Sequence, residues 1–153
     1  MADQLPYTKP LPAITRANRA FCEASLNGRL LLPHCLECGT SWFPPSARCP
    51  QCLSADVGNL QASGRGRIWS WIVMHRRYID GFDPPYVVVF VELEEGPMLV
   101  STIAGARPDQ LACGMPVEIV FEPASSEISI AKFRLALDEF TPVSSDTLPG
   151  ETT

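Results

Sequence analysis

The chain has 153 residues, enough for one medium domain or two small modules. Its hydrophobic fraction of 46% supports a real core, and its charged fraction of 19% is low for a disordered protein. A net charge of -5 and a pI of about 5.0 argue against a nucleic-acid binder, which usually carries a basic patch.

Fifteen prolines and ten glycines predict short elements joined by many turns. Residues 1–12 hold Pro6, Pro10 and Pro12 and read as an extended arm that cannot be helical. The N-terminus has no basic segment followed by an apolar one, so it does not read as a signal peptide. Nor does any stretch approach the roughly 20 apolar residues that span a bilayer. The expected compartment is the cytoplasm, where thiols stay reduced and paired cysteines serve as metal ligands more often than as disulfides.

Residues 13–27 read as an amphipathic helix, with Ile14, Ala17, Phe21 and Ala24 on one stripe. Asn27-Gly28 supplies the stop, since both residues tolerate the left-handed conformation. A short strand then leads into Cys35-Leu36-Glu37-Cys38-Gly39, and Cys49-Pro50-Gln51-Cys52 comes ten residues later. Four thiolates at this spacing close a tetrahedral zinc site, and Gly39 suits the tight turn of such a knuckle. A redox CxxC pair and a rubredoxin-type iron site are the alternatives, and ligand spacing does not separate zinc from iron. A closed four-cysteine sphere leaves no position for water, so the site is expected to be structural, clasping the N-terminal helix to the β-rich half of the chain.

Residues 56–63 read as a polar connector. Beyond it the pattern turns to strands: 67–75, the continuous apolar run 86–93, its hairpin partner 98–103, and two alternating stretches, 116–121 and 128–134. Five strands suit a small closed barrel of the OB type. The expected organisation is an arm and helix over 1–32, a zinc ribbon over 33–55, an OB-fold domain over 63–136 and a disordered tail over 137–153. The fold class is mainly β with an N-terminal α-helix.

A catalytic set is not evident. The histidines are His34, beside the first ligand and expected to pack or hydrogen-bond, and His75, at the end of the first barrel strand. Cys22 and Cys113 remain after the ligands are assigned and are expected to be buried, inert thiols. Four of the twelve basic residues, Arg65, Arg67, Arg76 and Arg77, flank the first barrel strand and could pair with phosphates. Phe82 and Tyr86 lie in the next loop, where they could meet an acyl chain, a pantetheine arm or a partner protein.

The sequence resembles the DUF35 family, a rubredoxin-like zinc ribbon fused to an OB-fold domain, over roughly residues 14–135. The residues that carry the likeness are Gly28-Arg29-Leu30, the two knuckles, Phe43-Pro44-Pro45, Ser63-Gly64-Arg65-Gly66, Pro85-Tyr86-Val87-Val88 and Leu93-Glu94-Glu95-Gly96. The resemblance implies a structural zinc and an accessory subunit of a thiolase-superfamily enzyme. The implied partner is a β-ketoacyl-CoA thiolase or a lipid-transfer-protein-like aldolase, with a coenzyme A thioester as a shared ligand. A nucleic-acid-binding module is the alternative by fold analogy, since zinc ribbons and OB barrels both serve that role elsewhere.

Overall fold

The computed structural model describes residues 7–136. The expected tail over 137–153, and residues 1–6 of the arm, lie outside the described residues. The helix α1 (Arg19–Leu26) is followed by the strands β1 (Leu30–Cys35), β2 (Val57–Ala62), β3 (Arg65–Met74), β4 (Tyr86–Leu93), β5 (Met98–Thr102), β6 (Pro116–Pro123) and β7 (Ser129–Leu135). A 3₁₀ turn, Pro108–Gln110, lies between β5 and β6.

The helix is shorter than its apolar stripe implies. Asn18 Oδ1 accepts from the Thr15 N–H at 2.6 Å, and its amide donates to Ala13 O at 3.0 Å. These local bonds give the backbone an alternative to the helix, so 16–18 forms a turn and Ile14 and Ala17 fall outside α1. Cys22, Ala24 and Ser25 form the buried face, packed on β1, β6 and β7. Burial pushes the Cys22 thiol up, away from its reactive form. Gly28, at φ 68°, ends the helix as expected: its N–H donates to Ser25 O, and the Arg29 N–H donates to Ala24 O.

The stretch read as a polar connector is β2, paired antiparallel with β1 from Leu30↔Ala62 to Cys35↔Val57. Only Val57, Leu60 and Ala62 interrupt its polarity, too weak a pattern to announce a strand. The pairing with β1, 22 to 32 residues away in sequence, supplies what the local pattern lacks.

The other strands form the expected five-stranded OB barrel, in the order β5-β4-β3-β6-β7. It is nearly closed: a bridge joins Ile103 to Phe133, and the Ser101 hydroxyl donates to Ala131 O at 2.6 Å. Inside lie Ile68, Val87, Val89, Val91, Leu99, Val117 and Phe133. Leu30, Leu32 and Ala62 from β1 and β2 belong to the same apolar cluster. The expectation that metal joins the two halves is therefore corrected: a continuous core joins them. Among the described residues, no helix is long and apolar enough to cross a membrane.

Gly66 is where the barrel wall is tightest. A Cβ there would meet Glu92 O at 2.4 Å and Val91 Cγ1 at 2.7 Å. Backbone cannot yield as a side-chain tip can, so Gly66→Ala is expected to cost about 2 kcal/mol, read as a lower urea midpoint at unchanged m-value.

Candidate metal centre and ligand surface

Two turns of the same construction present the four cysteines. In the first, Cys35 N–H donates to Thr40 O (2.8 Å) and Gly39 N–H to Cys35 O (3.0 Å). In the second, Cys49 N–H donates to Ser54 O (2.9 Å) and Leu53 N–H to Cys49 O (3.0 Å). Gly39 and Leu53 hold equivalent places, both left-handed, with φ of 74° and 62°. Glycine adopts that backbone freely, whereas a leucine does so at a cost.

The four sulfurs lie within 4.8 Å of one another, with Cys35 to Cys52 at 3.5 Å and Cys38 to Cys49 at 3.6 Å. A tetrahedron with metal–sulfur bonds of about 2.3 Å has edges of about 3.8 Å, so the donor set suits zinc with shifts of about 1 Å at most. Backbone N–H groups of Cys38 and Gln51 point at Cys35 Sγ and Cys49 Sγ, at 3.5 and 3.4 Å. Cys35 and Cys49 are buried under Trp42, whose indole N–H donates to Ser46 Oγ. Cys38 and Cys52 are exposed as residues, with their sulfurs turned into the cluster. His34 is no fifth ligand: its Nδ1 lies 2.9 Å from Ser41 Oγ.

As bare thiols, Cys38 and Cys52 ionise differently. The Thr40 hydroxyl and N–H lower Cys38 to about 6. At Cys52 the Ser54 N–H favours the thiolate, but desolvation and the neighbouring Cys35, Cys38 and Cys49 thiols outweigh it and push Cys52 up to about 12. Like charges this close resist joint ionisation, and a dication removes the conflict by compensating all four thiolates together.

The residues expected to form a ligand surface do not gather in one place. Arg65 and Arg67 begin β3, whereas Arg76 and Arg77 lie beyond its end, and a ten-residue strand spans about 33 Å. Arg65 pairs with Glu94 at 3.2 Å, Arg67 donates to Gly114 O at 2.9 Å and Arg77 pairs with Asp83. Arg76 is exposed, with no ion-pair partner among the described residues. Phe82 and Tyr86 do meet, with ring centroids 5.3 Å apart.

Their neighbours are two lysines that the sequence pattern did not single out. Tyr7, Lys9, Phe82, Tyr86 and Lys132 share a cavity of about 300 Å³ with Val88 and Ile130. The alternation of β7 foretells that Lys132 and Ile130 share a face, but the arm's return across some 70 residues of chain has no local signal. Cys113 also departs from expectation: it is exposed, because the turn before β6 lies on the surface.

Family models match both modules: the ChsH2 rubredoxin-like zinc ribbon domain over residues 19–58 and the ChsH2 C-terminal OB-fold domain over residues 60–122. The chain is 40% identical over 95 residues to a DUF35 domain-containing scaffold protein of Methanothermobacter thermautotrophicus, covering 61% of this chain and 71% of that one. This chain belongs to the DUF35 family. A solved Ltp2-ChsH2(DUF35) aldolase matches with a TM-score of 0.75 and 39% identity, over 83% of this DUF35 chain and 100% of that chain. A probable enoyl-CoA hydratase alpha subunit of Thermomonospora curvata is 39% identical over 131 residues, 86% of this chain but only 41% of that protein.

Because the barrel and β1–β2 share a core, losing the metal should melt the ribbon tip and spare the rest. Cys49→Ser is expected to abolish zinc binding and to bring fast amide exchange to residues 35–57, while β3 to β7 stay protected. Hydrogen exchange by mass spectrometry with metal analysis checks both. Leu53→Gly removes the left-handed strain from a side chain that is 68% exposed, so its thermal stability should rise by about 0.5–1 kcal/mol.

Proposed function

We propose that the chain is a non-catalytic, zinc-binding accessory subunit of an acyl-CoA-processing thiolase-superfamily complex. Its catalytic partner is a β-ketoacyl-CoA thiolase or a lipid-transfer-protein-like aldolase. The observation that carries this reading is an apolar outer wall on the barrel. In β4, Val87, Val89, Val91 and Leu93 point inward, yet the outward residues Val88 and Phe90 are apolar too. The register sets Phe90 between Ser70 and Val100, and Val88 between Ile72 and Thr102. A bulge after Ile68 inserts Trp69 beside this row. Trp69 is 62% exposed, Val100 49% and Ile72 47%, with Met98 at the rim.

A free-standing barrel turns polar residues to water on its outer face, so a contiguous apolar wall marks a docking surface. Trp69 has the size and setting of an interface anchor. Cys22 is buried in α1 and His34 is engaged by Ser41, so neither is placed for a chemical step. The relatives' descriptions as a hydratase subunit and as part of an aldolase support a place beside an acyl-CoA enzyme.

A coenzyme A thioester shared with the partner is part of the same proposal, with Arg76 available to meet a phosphate. The compartment proposed is the cytoplasm, where reduced cysteines remain available as ligands.

Affinity purification from the native host should recover a thiolase- or aldolase-type chain in stoichiometric amount, and adding this chain should raise that enzyme's activity. Recovery as a lone monomer without effect on such an enzyme overturns the proposal. Trp69→Asp and Val100→Asp, with zinc retained, should weaken the complex by about thirtyfold, a loss of about 2 kcal/mol measured by calorimetry.

A further inference from the structure

We propose that the cavity between the N-terminal arm and the outer wall of the barrel binds an apolar molecule by its anionic end group, held between Lys9 and Lys132. The walls come from four parts of the chain. The arm supplies Tyr7 and Lys9, the loop before β4 supplies Ile79 and Phe82, β4 and β5 supply Val88 and Thr102, and β7 supplies Ile130 and Lys132. A volume of about 300 Å³ falls at the lower end for small-molecule sites, and an apolar lining with a few convergent polar groups is their usual composition.

The charges are unevenly matched. Lys132 pairs with Glu122, Arg77 with Asp83 and Arg107 with Asp109. Lys9 has no carboxylate at ion-pair distance among the described residues. Its ammonium lies 4.8 Å from the Phe82 ring centroid and 5.9 Å from that of Tyr7. Two ammonium groups against the one carboxylate, Glu122, leave the cavity one positive charge in excess. Burial and the neighbouring Lys132 lower the Lys9 pKa, as expected of a cation short of partners.

The arm is seated for this role. Gly81 takes φ 87°, and a Cβ there would meet Lys9 Cγ at 2.9 Å and Thr8 O at 3.0 Å. The loop admits the arm only because residue 81 is glycine, and that close approach brings Lys9 over Phe82.

A second groove, of about 520 Å³, is lined by the same two lysines and extends to Arg107 and Asp109. A ligand could thus end at Lys9 and Lys132 as a free carboxylate, or set a phosphate between them with the rest of its head group running toward Arg107. The shared chemistry is an anionic group on an apolar chain.

The coenzyme A arm rests on the shared thioester proposed above, but binding is read on the chain alone, so its failure is distinguishable from a failure of partner capture. Isothermal titration of the full-length, zinc-loaded protein with octanoate, coenzyme A and octanoyl-coenzyme A is the test. Octanoate or octanoyl-coenzyme A is expected to bind more tightly than coenzyme A alone, and Lys9→Met and Gly81→Ala are each expected to weaken it at least tenfold. Both substitutions lie on the barrel's exterior, and circular dichroism verifies that the variants are folded. Octanoate binding that is indifferent to Arg107→Gln identifies a carboxylate ligand. Binding confined to the coenzyme A compounds and weakened by Arg107→Gln identifies a phosphate-bearing one. No binding of any probe at millimolar concentration, or binding unchanged in Lys9→Met and Gly81→Ala, overturns the inference.

Discussion

Leu30 and Leu32 enter the same apolar cluster as Ile68, Val91 and Phe133, and the remainder of the architecture hangs on that burial. Both leucines are almost wholly removed from water, and burying each contributes about 1.5–3 kcal/mol. Because β1 is anchored in the barrel's core, its last residue, Cys35, starts the first knuckle from a fixed point. Because β2 is paired to β1 along its length, the chain leaves the second knuckle beside the place where it entered. The ribbon is thus a loop clamped at its base by hydrophobic packing and at its tip by thiolates. The helix adds a third tie, with the Phe21 and Phe43 rings 5.5 Å apart.

The inner and outer walls of the barrel answer to different demands. The inner wall is fixed by volume: Phe133 fills the centre, and Gly66 is kept small by the Glu92 carbonyl. The outer wall of β3 to β5 is not fixed by the fold at all, since an OB barrel would stand as well with polar residues there. Its apolar character is therefore the part of the sequence that folding leaves unexplained. The arm already lies over one end of that wall, where Tyr7 and Lys9 line a cavity with Tyr86, Val88 and Thr102. The exposed remainder, around Trp69 and Val100, is continuous with it through the Val88 and Phe90 rows.

The strands of the barrel were legible because their periodicity is strong and local. Residues 86–93 and 128–134 announce themselves wherever they are placed. The four ligands were legible because metal geometry fixes their spacing. Three features were not. β2 needed β1 to exist as a strand. The start of α1 was set by Asn18 side-chain bonds that compete with a helix the apolar stripe favours. The lysine-lined cavity depends on residues 9, 82 and 132, whose meeting is a property of topology. Four arginines close in sequence were, by contrast, a weaker guide than they looked, because an extended strand separates its own ends.

The metal's role narrows accordingly. Structural zinc can contribute roughly 10 kcal/mol or more where it organises an otherwise unfolded module. Here the base of the ribbon needs no such help, since β1 and β2 are buried in the common core. What lacks other support is the tip: Cys35, Trp42 and Cys49 form a cluster of three buried residues with only Val57 packed beside it. That tip also tolerates a leucine in the left-handed conformation at residue 53, a strain that persists only where its surroundings over-determine the backbone. Four metal–sulfur bonds meet that requirement, and the small apolar cluster does not. The thiolates therefore hold the tip in shape, while the orientation of ribbon, helix and barrel is held by Leu30, Leu32 and Ala62.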